Sequence, residues 1–155
     1  MSIFKDCDIR GIYGENFSDE DIKEIAFAIK EGLLTEKEVV VCGDVRLTTP
    51  KVKNVIIEEL IAEGIDVIDI GIAPTPVFYY ALKHLKKKNG LMVTASHNPS
   101  EYNGLKLAIG DKPLIAEDIK KIQSLITKRS FKKAKEIKGK LKHYTGITED
   151  YINFI

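Results

Sequence analysis

The residues best suited to chemistry in this chain of 155 residues lie in one short stretch, residues 94–99. There Ser96 offers a hydroxyl and His97 an imidazole beside it, and Lys106 follows a few residues later. Such a serine can be a nucleophile, a carrier of a phosphoryl group, or only a cap that holds a loop. A hydrolase triad is disfavoured, because its serine usually stands in G-x-S-x-G and its histidine comes from elsewhere in the chain.

Two apolar segments flank this stretch and position it. Residues 90–93 and 104–109 are short apolar runs that begin with glycine, a pattern that predicts buried strands. Ser96 is then expected at the carboxyl end of a strand, where open α/β sheets bind their ligands. Asn98 and Pro99 favour a stiff turn, because asparagine hydrogen-bonds to nearby backbone and proline fixes its own φ.

Other charged side chains lie at the ends of further predicted strands. Arg10 stands beside a glycine near the amino terminus, and an arginine there can bind phosphate with two parallel hydrogen bonds or form a surface salt bridge. Asp44 and Arg46 follow the β-branched run of residues 39–42, which is typical of a strand buried on both faces.

Alternating strand and helix patterns predict an α/β domain with a mixed, mostly parallel sheet of about four strands and helices on both faces. Residues 104–110 follow too short a loop for a crossover and are expected to pair antiparallel. Ser18, Thr49 and Thr75 are predicted helix N-caps, the last two followed by proline. The lysine-rich residues 127–142 are expected to be an exposed, mobile segment.

Composition excludes several function classes. Apolar residues are 44% and charged residues 30%, and 24 basic against 23 acidic residues give a net charge of +1. These values indicate one globular domain with no field that would attract nucleic acid or an anionic membrane. Cys7 and Cys42 are too few and too far apart for a disulfide framework or a zinc site, and are expected to be buried free thiols. No signal-peptide core or membrane span is evident, so a cytoplasmic location is expected.

Four motifs together resemble one family. T-A-S-H-N-P at residues 94–99, with E-Y-N-G-L-K at residues 101–106, resembles the phosphoserine loop of the α-D-phosphohexomutases, the phosphomannomutase and phosphoglucomutase family. D-I-R-G at residues 8–11, a G-x-D-x-R-like segment at residues 42–46 and G-x-x-x-T-P at residues 71–76 are similar to further family motifs and occur in the same order. The second of these departs from the family pattern, which has glycine where this chain has Cys42.

The resemblance implies a mutase that moves a phosphoryl group between O1 and O6 of a hexose by way of a bisphosphate. Ser96 would carry the phosphoryl group, with Mg²⁺ bound through its phosphate and hexose 1,6-bisphosphate as activator. Lys106 would be the general acid/base, with a plain phosphate-binding charge as the alternative. The other implied roles are phosphate or substrate binding by Arg10, His97 and Asn98, and support of the site by Asp44, Arg46 and Asn103.

The same resemblance implies an incomplete enzyme. Family members are longer chains, whose second, third and fourth domains supply the metal carboxylates, the sugar-binding segment and a phosphate-gripping loop. Residues 1–145 are therefore interpreted as the phosphoserine domain and residues 146–155 as the start of a linker helix, and the chain alone is expected to fold without activity. The alternatives are a non-enzymatic phosphosugar-binding module and a fragment that assembles with separate domains. The D-I-R-G start favours mannose or glucose phosphates over glucosamine phosphate.

Overall fold

The computed structural model describes residues 2–110, 112–128 and 137–155. Its strands are β1 (Ile9–Ile12), β2 (Glu38–Gly43), β3 (Asp66–Ile72), β4 (Asn89–Val93), β5 (Tyr102–Ile109), β6 (Lys112–Pro113) and β7 (Leu141–His143). Its helices are α1 (Asp19–Gly32), α2 (Thr49–Ala62), α3 (Thr75–His84), α4 (Ala116–Thr127) and α5 (Ile147–Phe154).

All described strands belong to one mixed sheet in the order β1-β5-β4-β2-β3-β7, with β6 paired to the far end of β5. The pairs β2–β3, β2–β4 and β3–β7 are parallel, and β1–β5, β4–β5 and β5–β6 are antiparallel. The predicted fold class and the antiparallel pairing of residues 104–110 are confirmed. The expected strand count of about four was too low, because β1 has only 4 residues, and β6 and β7 have only 2 and 3 residues, all of them exposed.

A separate hydrophobic cluster covers each face of the sheet. Helices α1, α2 and α4 pack on one face, where their fully buried side chains include Ile22, Ile25, Ile56, Leu60 and Ile122. Helices α3 and α5 pack on the other face, around Phe78, Leu82 and Ile147. The two clusters hold the sheet rigidly from both sides, which leaves its edges and strand ends to carry a site.

Two of the three predicted N-cap residues do not occupy the cap position in the structure. Ser18 caps α1 through a reciprocal pair of hydrogen bonds with Asp21, as expected. Thr49 and Thr75 are instead the first helical residues, preceded by Thr48 and Pro74 at the cap positions. The Thr49 hydroxyl is used elsewhere, since it donates to the Asp44 carboxylate at 2.7 Å and accepts from the Asn103 side-chain amide at 3.0 Å.

Three smaller expectations can be compared with the structure. Within the lysine-rich segment, residues 129–136 lie outside the described residues, whereas Leu141–His143 forms an edge strand and not an irregular segment. Both cysteines are free, but Cys7 is exposed and only Cys42 is buried, where burial raises the pKa of its thiol. In the part of the chain that the structure describes, no helix is long and apolar enough to cross a membrane.

Candidate functional site

The serine loop lies at the edge where the parallel strands end. Gly43 at the end of β2 pairs with Val93 at the end of β4, and the Asp44 amide continues this ladder to the Val93 carbonyl at 3.0 Å. The loops that follow β2 and β4 are therefore neighbours. Ser96, three residues beyond β4, is exposed at this edge of the sheet.

Ser96 has a left-handed backbone, with a φ of 53°. This conformation costs a non-glycine residue about 1–2 kcal/mol, so the surrounding contacts must hold it. The turn that contains it is closed by Asn98, whose backbone amide and side-chain amide both donate to the Ala95 carbonyl, at 3.0 and 2.9 Å. The serine hydroxyl is thus presented on a stiff turn.

Arg46 holds the same loop through hydrogen bonds from its guanidinium to the loop's backbone carbonyls. Its guanidinium donates to four backbone carbonyls, at 2.6 to 3.0 Å, those of Ser96, Asn98, Pro99 and Tyr102. Its side chain is only 12% exposed. A planar guanidinium with five donors suits this arrangement, because its forked geometry lets one side chain satisfy several acceptors at once.

The Asp44 carboxylate connects Arg46 to the strand ends. Its Oδ1 accepts from the Arg46 amide at 3.1 Å and the Thr49 hydroxyl at 2.7 Å. Its Oδ2 accepts from Arg46 Nε at 3.0 Å and the Thr94 hydroxyl at 2.8 Å. Four hydrogen bonds use the usual acceptor capacity of a carboxylate, so Asp44 is committed to structure at this edge.

Asn103 extends this network into the interior. It is fully buried on β5, and its side-chain amide donates to the hydroxyls of Thr48 and Thr49, at 2.9 and 3.0 Å. Its side-chain oxygen accepts the Gly104 amide at 2.9 Å. The start of α2 is therefore fixed against β5, the strand that also carries Lys106.

Arg10 lies in a hollow beside the loop. This Arg10 hollow of about 410 Å³ is lined by Arg10, Lys5, Asp8, Tyr102 and Asn98 among others. A second hollow of about 480 Å³, the Ser96 hollow, is lined by Ser96 and Asn98 among others, so Asn98 borders both. The Arg10 guanidinium contacts the Asp8 carboxylate, with Nε at 2.7 Å from Oδ2. Asp8 thus partly balances the charge of Arg10, and Lys5 is a second cation that lines the same hollow.

Lys106 lies farther along the sheet. Its Nζ is 5.5 Å from the centre of the Tyr79 ring, which belongs to α3. Burial raises the pKa of the Tyr79 phenol, so the ring that Lys106 contacts remains neutral at ordinary pH. Lys106 borders neither the Ser96 hollow nor the Arg10 hollow. His97 is exposed on the serine turn itself.

No metal centre is built from this chain's described residues. Residues 2–110, 112–128 and 137–155 contain no group of three or more histidine, cysteine, aspartate or glutamate side chains that could hold an ion. The Asp44 carboxylate, which is linked to the serine turn through Thr94 and Arg46, already accepts four hydrogen bonds. These residues by themselves supply no complete site for Mg²⁺, and its predicted binding through a phosphate on Ser96 stays a prediction.

The sequence of residues 1–133 matches the model of the family "phosphoglucomutase/phosphomannomutase, alpha/beta/alpha domain I". The chain belongs to this family.

Known relatives are considerably longer than this chain. A phosphomannomutase/phosphoglucomutase of Pseudomonas aeruginosa is 40% identical over 129 residues, which are 82% of this chain and 28% of the relative. A phosphomannomutase of Vibrio cholerae is 39% identical over 155 residues, covering 96% of this chain and 33% of the relative. The crystal structure of a phosphoglucomutase/phosphomannomutase family protein from Burkholderia thailandensis superposes with a TM-score of 0.82 at 28% identity, covering 97% of this chain and 34% of that one. The chain thus spans about a third of such relatives.

Several side chains that contact the site residues of this phosphoglucomutase/phosphomannomutase domain were missed from the sequence, among them Thr94, Asp8 and Tyr79. Thr94 hydrogen-bonds both to Asp44 and to the Ser96 amide. Asp8 pairs with Arg10, and Tyr79 lies under Lys106. Thr94 and Asp8 stand inside the quoted motifs, so their position was a usable signal. Tyr79 had no such signal, because only the packing of α3 on the sheet brings it to Lys106.

Proposed function

We propose that this chain is the serine-bearing domain of a phosphomannomutase/phosphoglucomutase that interconverts hexose 1-phosphate and hexose 6-phosphate. The observation that carries the proposal is the exposed Ser96, held in a left-handed turn at the carboxyl edge of the parallel strands. Loops at this edge are where α/β sheets place ligands and reacting groups. The names of the relatives from Pseudomonas aeruginosa and Vibrio cholerae support the same reaction class.

The proposed reaction uses Ser96 as a phosphoryl carrier. In the first transfer, the bond between phosphorus and Ser96 Oγ breaks and a bond to a sugar hydroxyl oxygen forms, while the sugar hydroxyl gives its proton to a base and Ser96 Oγ takes up a proton. In the second transfer, Ser96 Oγ gives up its proton as the other phosphoryl group of the bisphosphate moves to it, and the sugar oxygen that this group leaves takes up a proton. Lys106 is our candidate for the base and acid on the sugar oxygen, with its amino group turned from the Tyr79 ring toward the substrate.

Cations beside the loop suit the charge that this chemistry creates. A phosphoserine carries a charge of about −2 and three strong acceptor oxygens. Arg10 and His97 are proposed to contact phosphate groups, and Asn98, which borders both hollows, is proposed to orient them. Positioning and charge stabilisation supply most of the catalysis in phosphoryl transfer, which is what a rigid loop with nearby cations provides.

We propose that Asp44, Arg46 and Asn103 support this site and do not contact substrate. Their side chains are occupied by one another, by threonine hydroxyls and by the loop backbone. Because the described residues do not provide a metal site, we assign no step to Mg²⁺. Any divalent ion bound through a phosphate on Ser96 would need further ligands from outside these residues.

A chimaera provides the test. The aligned 129-residue segment of the Pseudomonas aeruginosa relative would be replaced by its counterpart from this chain. The chimaera should interconvert mannose 1-phosphate and mannose 6-phosphate, and mass spectrometry should locate a phosphate on Ser96. Ser96→Ala should abolish both, whereas Ser100→Ala, in the same exposed loop, should retain them. A folded chimaera without turnover, or one that stays active with Ser96→Ala, would refute the proposal.

A further inference from the structure

The backbone of Ser96 requires support that the serine itself cannot supply. Among the described residues, Ser96 and Lys86 are the non-glycine residues with a positive φ, at 53° and 55°. Ser96 is also exposed, so no packing around its side chain holds this conformation. The contacts made by its two flanking peptide groups must therefore do so.

Both peptide groups of Ser96 are held, and both contacts lead to the same atom. The Ser96 amide donates to Thr94 Oγ1 at 3.0 Å, and the Ser96 carbonyl accepts from Arg46 Nη2 at 2.9 Å. Thr94 Oγ1 and Arg46 Nε in turn donate to Asp44 Oδ2, at 2.8 and 3.0 Å. One carboxylate oxygen thereby fixes the two side chains that hold the serine on either side.

Thr94 is well suited to this task. It is 7% exposed, and its own amide donates to the Gly104 carbonyl at 3.0 Å, so its backbone remains tied to the sheet. A hydroxyl can donate and accept at once, which lets it join the Asp44 carboxylate to the Ser96 amide. Its β-branched side chain has few rotamers, which keeps the hydroxyl aimed at both partners.

We propose that Thr94 is a positioning residue for Ser96, whose hydroxyl holds the serine in its left-handed conformation and so sets the direction of Ser96 Oγ. Arg46 holds the opposite side of the same residue, and Asp44 couples the two. The expected effect of Thr94 on phosphoryl transfer rests on the proposed function. Its effect on the backbone conformation of Ser96 does not.

The hold on the backbone is tested by solvent exchange of the Ser96 amide, measured by NMR on this chain. Removing a neutral hydrogen bond while keeping the side-chain shape, as in Thr94→Val, should speed exchange by about tenfold. Thr94→Ser keeps the hydroxyl and should stay within about twofold of the unsubstituted chain. Thr127→Val, which removes a distant hydroxyl bonded to the Gln123 carbonyl, is the matched control and should leave Ser96 unchanged. Unchanged Ser96 exchange in folded Thr94→Val would overturn the proposal.

A second measurement keeps the proposal testable if Thr94→Val does not fold. In the unsubstituted chain, the Ser96 amide should exchange more slowly than expected for a freely exposed amide, and an unprotected amide would refute the assignment. Ser96→Gly should also lessen the loss of stability caused by Thr94→Val, because glycine adopts a positive φ without steric cost. Equal losses in both backgrounds would show that Thr94 does not support the backbone of Ser96.

The consequence for the reaction is measured in the chimaera described above. Thr94→Val should lower kcat by about tenfold or more with little change in KM, and Thr94→Ser should restore it. A lower kcat in both Thr94→Val and Thr94→Ser would indicate that residue 94 has a structural role and that its hydroxyl does not position Ser96. An inactive unsubstituted chimaera would reject the proposed function alone, because the amide-exchange result does not depend on turnover.

Discussion

Arg46 binds four backbone carbonyls of the serine loop at once. We expect Arg46→Lys to lower the free energy of unfolding by about 2–4 kcal/mol, because one ammonium cannot reach four carbonyls and Asp44 together. Urea unfolding followed by circular dichroism measures the change. Arg10→Lys is the matched control and should cost less than about 1 kcal/mol, since among the described residues the Arg10 side chain pairs with Asp8 alone and is 32% exposed. Equal effects of the two substitutions would contradict this account of Arg46.

Tyrosines give the molecule a pH dependence at the alkaline end. Burial raises the pKa of Tyr79, and a hydrogen bond with Asp150 raises the pKa of Tyr144. A folded-state pKa above the unfolded value contributes stability that is fully present below about pH 10 and is lost as the pH rises through the folded-state pKa. The free energy of unfolding should therefore fall above about pH 10, less steeply in Tyr79→Phe. An unchanged slope in Tyr79→Phe would show that Tyr79 does not contribute.

At the scale of elements, the pairing of β1 with β5 depends on a glycine. A Cβ on Gly104 would lie 1.9 Å from the Ile9 carbonyl oxygen, so Gly104→Ala must push the two backbones apart. We expect a loss of at least about 3 kcal/mol in the free energy of unfolding. Gly14→Ala is the comparison: Gly14 has a φ of 89° and nothing near its missing Cβ, so about 1 kcal/mol is expected. Chemical denaturation of both variants measures the difference, and a Gly104→Ala variant as stable as Gly14→Ala would be inconsistent with this close approach.

The strands and helices differ in how well the local sequence predicts them. The buried strands β2, β3 and β4 and the helices around the apolar clusters follow from apolar periodicity, which local sequence records directly. Strand β7 could not be read in this way, since all three of its residues are exposed. It forms because its backbone pairs with β3 and because the Lys140 amide donates to Asp66 at 2.8 Å, contacts between residues 74 positions apart.

The same limit applies to the candidate site. Ser96, Arg10 and Lys106 were identifiable from residue type and motif, and the position of Ser96 after a strand followed from the glycine-bounded apolar runs. The network beneath them was not predictable, because Thr94 and Asp44 are 50 positions apart, and Asn103 and Thr49 are 54 apart. A hydroxyl has no periodic signal, so its partners appear only when the strand ends meet.

At the scale of the whole molecule, a network of buried and half-buried polar side chains lies at the carboxyl edge of the parallel strands. Two apolar clusters clamp the sheet, and the polar network of Asp44, Thr49, Thr94 and Asn103 ties its loops to the start of α2. The outer side of that edge is different, because Val45, Leu47 and Ile72 are 83%, 96% and 65% exposed there. The domain therefore presents a fixed serine on an open surface and does not enclose it in a cleft of its own.

That openness leads to the expectation for the chain by itself. It spans about a third of its relatives, and its described residues supply no metal site. Incubated with mannose or glucose 1-phosphate, Mg²⁺ and hexose 1,6-bisphosphate, it should give no measurable 6-phosphate, because an open surface does not hold both ends of the sugar for in-line transfer. The chimaera, assayed in parallel, is the positive control. Turnover by the chain alone that disappears in Ser96→Ala would mean that this domain suffices for the reaction.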